Sequence, residues 1–334
     1  MKTLILFAFL ILTSNLLSAQ GKQPDAPLFR DPITDGAADP CLIYNPMENA
    51  WWMLYTQRRA NAETADVAYC YGNEIGIAYS EDNGKSWRYR GTLDLEFERG
   101  KNTFWAPDIV LHEGTYHLFI SYIRGVANHW SGTATIRHYT STNLWDWKHE
   151  GIAQLPKNDV IDATLFQQSD GTWRMWYKWD SMSLFADSKD LFSWEGNDTP
   201  AVSDEPHEGA KAFRFGDSYW FVTDEWQGMA VYKSNDLLNW TKQAGRILDK
   251  PSTRKDDYPS GSHGDVVVVG DKAYIFYFTH PGRQHHTQQS HDMNGNIPYQ
   301  QRRSSIQVAE LVIENEELTV KDRDKPFEIY LPNN

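Results

Sequence analysis

The feature that most constrains this chain is that it repeats itself. Ser188, Asp190, Leu191 and Trp194 read S-x-D-L-x-x-W; Ser234, Asp236, Leu237 and Trp240 repeat it, and Ser141, Asn143, Leu144 and Trp147 match with Asn for Asp. Ser80, Asp82, Gly84 and Trp87 form the same turn with one extra residue. In each copy a short polar turn, whose Ser and Asp or Asn side chains bond local backbone, delivers a Trp that can pack between neighbouring units. A second unit recurs as well: an acidic residue, an apolar strand, a tight turn and an aromatic-rich strand. It begins at Asp39 (CLIY, WWMLY), Asp108 (IVL, YHLFISY), Asp162 (ATLF, WRMWY), Glu208 (AKAF, YWFV) and Asp265 (VVVV, AYIFYF). These segments read as hairpins, and helical periodicity is nearly absent between them. Successive acids lie 69, 54, 46 and 57 residues apart, room for about four short strands per unit. The expectation is an all-β fold, a five-bladed β-propeller, with residues 305–313 and 317–320 completing the fifth blade.

Charge narrows the partners. The 32 Lys and Arg against 45 Asp and Glu give a net charge of −13, which argues against nucleic acid or an anionic membrane surface. Fourteen Trp exceed what packing alone usually calls for. Lys2, the apolar run Leu4 to Leu12, and Ser18 and Ala19 before Gln20 follow the pattern of a secretory signal, so cleavage is expected near Ala19. Residues 1–19 would then be a signal peptide and 20–334 a single catalytic propeller, secreted or periplasmic and without membrane insertion. Cys41 and Cys70 could pair in an exported protein, but a chain this long buries its surface without staples, which favours two free thiols.

Propeller geometry places the chemistry. The first strand of each blade lines the central channel, so Asp39, Asp108, Asp162, Glu208 and His263 or Asp265 should converge at one end. The longer connections 57–73, 123–134 and 280–304 return to that end. Several carboxylates crowded at a narrow mouth repel one another; at least one pKa rises, and a proton donor stands beside a proton acceptor. Trp105, Trp179 and Trp226 lie near this face as candidate stacking platforms for a ligand ring. Arg58, ending the second strand of blade one with Arg59, could meet an anionic group or form a rim salt bridge. His280, His285, His286 and His291 invite a zinc reading, but without HExxH or paired Cys a rim loop touching substrate is favoured.

On these residues the sequence resembles the five-bladed glycoside hydrolases of family 43, or the related family 117 of 3,6-anhydro-galactosidases. The motifs are ADP at 38–40, WAPD at 105–108, Ile161-Asp162 with the later DGTW, HEG at 207–209, and His263 before VVVV, in the family's order along the whole mature chain. The resemblance implies Asp39 as general base, Asp162 as the residue that tunes and orients, Glu208 as general acid, and His263 as the channel residue that in relatives holds a metal ion or its water. That ion would be one divalent cation, calcium or similar. His207 directly before Glu208 resembles family 117, in which the histidine has been considered the proton donor, so both His207 and Glu208 stand as donor candidates. Glu208 is favoured, because Asp162 and a channel of like charges should keep it protonated.

The function expected is an exported, exo-acting, inverting glycoside hydrolase on plant or algal oligo- or polysaccharides. It would be arabinofuranosidase- or xylosidase-like, or 3,6-anhydro-galactosidase-like. Two other readings stand beside it. One is a sialidase-like enzyme, suggested by the single S-x-D-x-G-x-x-W turn; the other is a carbohydrate-binding propeller without activity, against which carboxylates at all three catalytic positions argue. Asp108 could hold a sugar hydroxyl or fix its own blade.

Overall fold

In the computed structural model, which describes residues 23–285 and 290–333, five four-stranded antiparallel sheets stand in a ring. Blade 1 holds β1 to β4 (Ala37–Asn45, Ala50–Gln57, Glu74–Ser80, Arg88–Thr92) and blade 2 holds β5 to β8 (Thr103–His112, Thr115–Ile123, Thr135–Ser141, Lys148–Ile152). Blade 3 holds β9 to β12 (Val160–Gln167, Trp173–Trp179, Met182–Ser188, Glu195–Gly196) and blade 4 β13 to β16 (Glu208–Phe215, Ser218–Asp224, Met229–Ser234, Thr241–Lys242). Blade 5 holds β17 to β20 (Ser262–Val269, Lys272–Thr279, Ser305–Glu314, Glu317–Val320). The five-bladed β-propeller expected from the repeats is the observed fold. The candidate signal peptide and His286 lie outside the described residues. Among the described residues no helix is long and apolar enough to cross a membrane.

Each turn forms as the repeat implied. In blade 4 the Ser234 hydroxyl donates to Asp236 Oδ1 and accepts the Leu237 amide, while Asp236 Oδ1 takes the amides of Leu238 and Asn239 at 2.9 and 2.8 Å. The turn forces Leu144, Leu191 and Leu237 to positive φ (65°, 65° and 62°), and their burial compensates that strain. In blade 1 two residues, Asn83 and Gly84, take the left-handed conformation instead, and Gly84 leaves room for Leu331 of the C-terminal segment. The turn Trp residues reach the preceding blade: Trp194 packs edge-on to Phe119, Trp240 lies against Trp176 of blade 3 as well as Phe221 of its own blade, and Trp87 meets Phe276 of blade 5.

Ring closure uses both ends of the described chain. Phe29 bridges Ile306 of blade 5, and Phe327, Ile329 and Leu331 fill the seam between blades 1 and 5 beside Trp51 and Trp87. Trp51 Nε1 donates to the Pro332 carbonyl at 3.0 Å. Both Cys41 and Cys70 are buried and free.

Candidate active site

The mouth of the channel is built by one device used five times. Every innermost strand carries a bulge at the same level: between Ala38 and Cys41, Trp105 and Asp108, Ile161 and Thr164, Glu208 and Lys211, and Ser262 and Gly264. The extra residues begin at Asp39, Ala106, Asp162, Gly209 and His263, and the first four have φ of 50°, 45°, 56° and 57°. Such bulges re-aim the chain at a strand end, and Asp and Gly tolerate the left-handed conformation best. The strand-two residue opposite each bulge start then latches the next blade where its side chain can accept. Thr56 Oγ1 takes the Ala106 amide, Ser121 Oγ the Asp162 amide and Asp224 Oδ2 the His263 amide, all at 2.9 Å. Opposite Glu208 in this register stands Asp224, a buried carboxylate that sequence reasoning missed. Its signal was the alignment of Thr56, Ser121 and Asp224 at the ends of their second strands.

Asp39, Asp162, Glu208 and His263 meet at this mouth. His263 Nδ1 lies 3.5 Å from Asp39 Oδ1, and Arg58 Nη2 lies 3.4 Å from Asp39 Oδ2. Burial alone would push the Asp39 carboxyl up, but Arg58 and His263 outweigh it and bring it down to about 2. Asp162 Oδ2 accepts the Gly209 amide at 3.0 Å. Burial, opposed by His263 and aided by Glu208, raises Asp162 to about 6, and burial with the Glu208 charge raises Asp224 to about 7. Glu208 is half-buried, with Oε2 at 3.1 Å from Lys178 Nζ and Oε1 accepting the Trp226 indole N–H at 3.0 Å. Burial disfavours charge on His263, yet Asp39, Asp162 and Asp224 hold it as an imidazolium up to about 9. The mouth therefore combines a firmly ionised carboxylate with a carboxyl cluster that keeps protons near neutrality.

The other predicted residues divide. Arg58 does not await a ligand anion: besides Asp39 it faces His280 Nε2 at 3.4 Å and lies over the Phe278 ring. His280 is itself buried, with Nδ1 donating to the Arg303 carbonyl, which leaves Nε2 to accept. His291 pairs with Asp66, 3.2 Å away. His207 points away from the mouth. It is fully buried with Nδ1 donating to the Glu205 carbonyl and Nε2 accepting from the Ser183 hydroxyl, both at 2.8 Å, and burial holds it neutral. The strand alternation that separates adjacent side chains leaves Glu208 as the one of the two donor candidates at the mouth. Trp226 touches Glu208 directly. Trp105 donates its indole N–H to the Cys70 carbonyl and packs edge-on to Tyr71 and Trp130, whereas one face of Trp179 already carries Lys157 Nζ at 4.6 Å.

Asp108 stands two residues beyond its bulge, below the mouth. Its Oδ1 receives Lys211 Nζ at 2.8 Å and its Oδ2 the Leu165 amide at 2.6 Å, so both oxygens are engaged within the ring of blades. At the place of the divalent cation implied near His263, the ring's Nδ1 faces Asp39 Oδ1 at 3.5 Å, and one layer below, an ammonium already lies between the carboxylates of Asp108 and Asp265. Among the described residues no group of three or more His, Cys, Asp or Glu side chains is arranged to hold a metal.

Solved structures resemble this fold along nearly the whole chain. A thermostable family-43 glycoside hydrolase is 17% identical with a TM-score of 0.66, covering 92% of this chain and 100% of its own. The chain has the fold of the family-43 glycoside hydrolases. A family-43 β-xylosidase/α-arabinofuranosidase from a compost microbial metagenome, solved with xylotriose in a calcium-free form, is 13% identical, with a TM-score of 0.63 and coverage of 90% and 97%. An exo-1,5-α-L-arabinanase from a bovine ruminal metagenomic library is 16% identical, with a TM-score of 0.60 and coverage of 88% and 99%. No sequence-family model matches the chain, and no curated protein matches it. The similarity is one of fold, at identities of 13–17%.

Proposed function

We propose that this protein is an exported glycoside hydrolase that removes sugars from chain ends with inversion of configuration. Asp39 acts as the base that activates water, Glu208 protonates the departing oxygen, and Asp162 orients Glu208 and holds a proton in reserve. The observation that carries the reading is the split in charge state at one mouth: Asp39 held near 2, Asp162 and Asp224 raised to about 6 and 7. Two carboxyl environments pushed apart are what acid and base roles require. Donation from Glu208 requires that the entering sugar take the place of Lys178, whose ammonium lies 3.1 Å from Oε2 and favours the ionised carboxylate. Trp226, bonded to Glu208, is the platform best placed for the ring that bears the scissile bond.

The similar structures include a β-xylosidase/α-arabinofuranosidase and an exo-arabinanase, so pentosides head the list of substrates. The test is a panel of arabinofuranosides, xylosides, galactosides and anhydro-galactose oligosaccharides, followed by NMR of the first-formed anomer. Release of a monosaccharide with inverted configuration is expected. Retention would remove the base role from Asp39, and binding without turnover on every member would make the protein a sugar-binding propeller.

A further inference from the structure

The channel axis carries a cation that belongs to the chain itself. Two residues past each bulge start, the innermost strands present a second ring: Cys41, Asp108, Thr164, Lys211 and Asp265. Lys211 Nζ lies 2.8 Å from Asp108 Oδ1 of blade 2 and 2.9 Å from Asp265 Oδ1 of blade 5. The remaining oxygens reach further. Asp108 Oδ2 accepts the Leu165 amide of blade 3, Asp265 Oδ2 accepts the Leu42 amide of blade 1 at 2.8 Å, and the Cys41 thiol faces Asp108 Oδ1 at 3.4 Å. One ammonium and two carboxylates therefore join all five innermost strands at the channel axis.

We propose that Lys211 is the resident cation of this propeller, set on the channel axis one layer below the mouth, so that neither folding nor the charge balance beneath the mouth depends on a metal. An ammonium suits the place. It supplies positive charge at hydrogen-bond distance to two carboxylates from different blades, and it is tethered by its own strand, so chelators cannot remove it. Burial opposes its charge, but Asp108 and Asp265 outweigh this and hold it protonated well above the ordinary lysine value. The groups facing it are Asp108, Asp265 and Cys41. With the cation gone, two buried carboxylates would confront each other with no positive charge between them.

The experiment measures the thermal midpoint of the full chain in EDTA and in millimolar calcium chloride, beside Lys211→Met, which keeps the length and removes the charge. The unaltered chain is expected to melt at the same temperature in both solutions. Lys211→Met should melt about 5–10 °C lower at pH 7, the usual consequence of stripping one partner from a buried pair in a domain of this size. That gap should narrow as pH falls toward 4, because Asp108, whose carboxyl burial already pushes up, can then take up a proton in the variant. A midpoint for the unaltered chain that falls in EDTA and returns with calcium would overturn the proposal, even were the variant not to fold. So would a Lys211→Met midpoint equal to that of the unaltered chain at pH 7.

Discussion

Gly209→Ala probes the mouth at the point where backbone and chemistry meet. Gly209 has φ of 57°, and a Cβ built there would fall 2.4 Å from His263 Cγ, 2.6 Å from its Cβ and 2.8 Å from its Cδ2. Ordinary carbon contacts are about 3.5–4.0 Å, so the imidazole must withdraw by about 1 Å. The left-handed conformation costs a non-glycine residue about 1–2 kcal/mol, which Ala106 already bears at the equivalent place in blade 2. Overpacking against His263 adds about 1–3 kcal/mol, for a total of about 2–5 kcal/mol. At about 2 °C per kcal/mol the midpoint should fall by about 4–10 °C. His263 sits at Asp39 and the Gly209 amide at Asp162, so the same shift misplaces both carboxylates; a displacement of about 1 Å should lower kcat/KM about 100-fold. Gly270→Ala is the control, with φ of 60° and nothing within 4 Å of the new Cβ, and it should show the backbone cost alone. Calorimetry and steady-state rates on the best substrate of the panel read both effects. If Gly209→Ala is no more damaging than Gly270→Ala, the argument that glycine is required there by the His263 ring is refuted.

Further outcomes follow from the same geometry. Glu208→Gln should slow hydrolysis of a natural oligosaccharide by about 10²- to 10⁴-fold and spare an aryl glycoside with an activated leaving group, whereas Asp39→Asn should impair both. His207→Ala should cost about 1–3 kcal/mol through the orphaned Ser183 contact without restoring preference for activated substrates; the reverse pattern in paired rate measurements would return the donor role to the histidine. His263 has its folded pKa raised from 6.5 to about 9, so its stabilising contribution is complete below about 6.5 and lost as pH rises through 9. The stability gap between the unaltered chain and His263→Gln, followed by denaturant unfolding, should therefore shrink between pH 7 and 10. Asp39, lowered from 3.8 to about 2, contributes fully above its ordinary value and loses that contribution as pH falls through 2. Trp176→Ala, at a fully buried ring between blades 3 and 4, should destabilise by about 3–5 kcal/mol, read as a lower denaturation midpoint.

How much of this was legible in the sequence depends on what each feature needs in order to be seen. The blades were legible because a turn is a local object: Ser234, Asp236 and Leu237 make their bonds within a few residues, so the repeat carries its own geometry. Asp39, Asp162 and Glu208 were legible for a related reason, since strand starts are marked by the change from polar to apolar sequence. The bulge register was not. Counting acids placed Asp108 and Asp265 level with Asp39, although the extra residue in every innermost strand sets them one layer deeper, where Lys211 lies between them. In blade 2 the position level with Asp39 is Ala106, which no search for chemistry would select, and in blade 5 it is His263, the alternative the sequence offered to Asp265.

Charge state was hidden for a different reason: it is a sum over partners brought together from distant parts of the chain. Arg58 lowers Asp39 from 19 residues away, and His280 meets Arg58 from 222 residues away. Asp224 becomes a proton-holding neighbour of Glu208 only because strand two of blade 4 ends opposite strand one. A run such as YWFVTD gives no sign that its last carboxylate will be desolvated, whereas the same run placed in register with Thr56 and Ser121 shows a carboxylate where the other blades use a hydroxyl. The substitution at that latch position is what converts a structural contact into a site. A hydroxyl could accept the His263 amide equally well, but only a carboxyl group can also change near neutral pH between a proton-holding neutral form and an anion that helps hold the imidazolium.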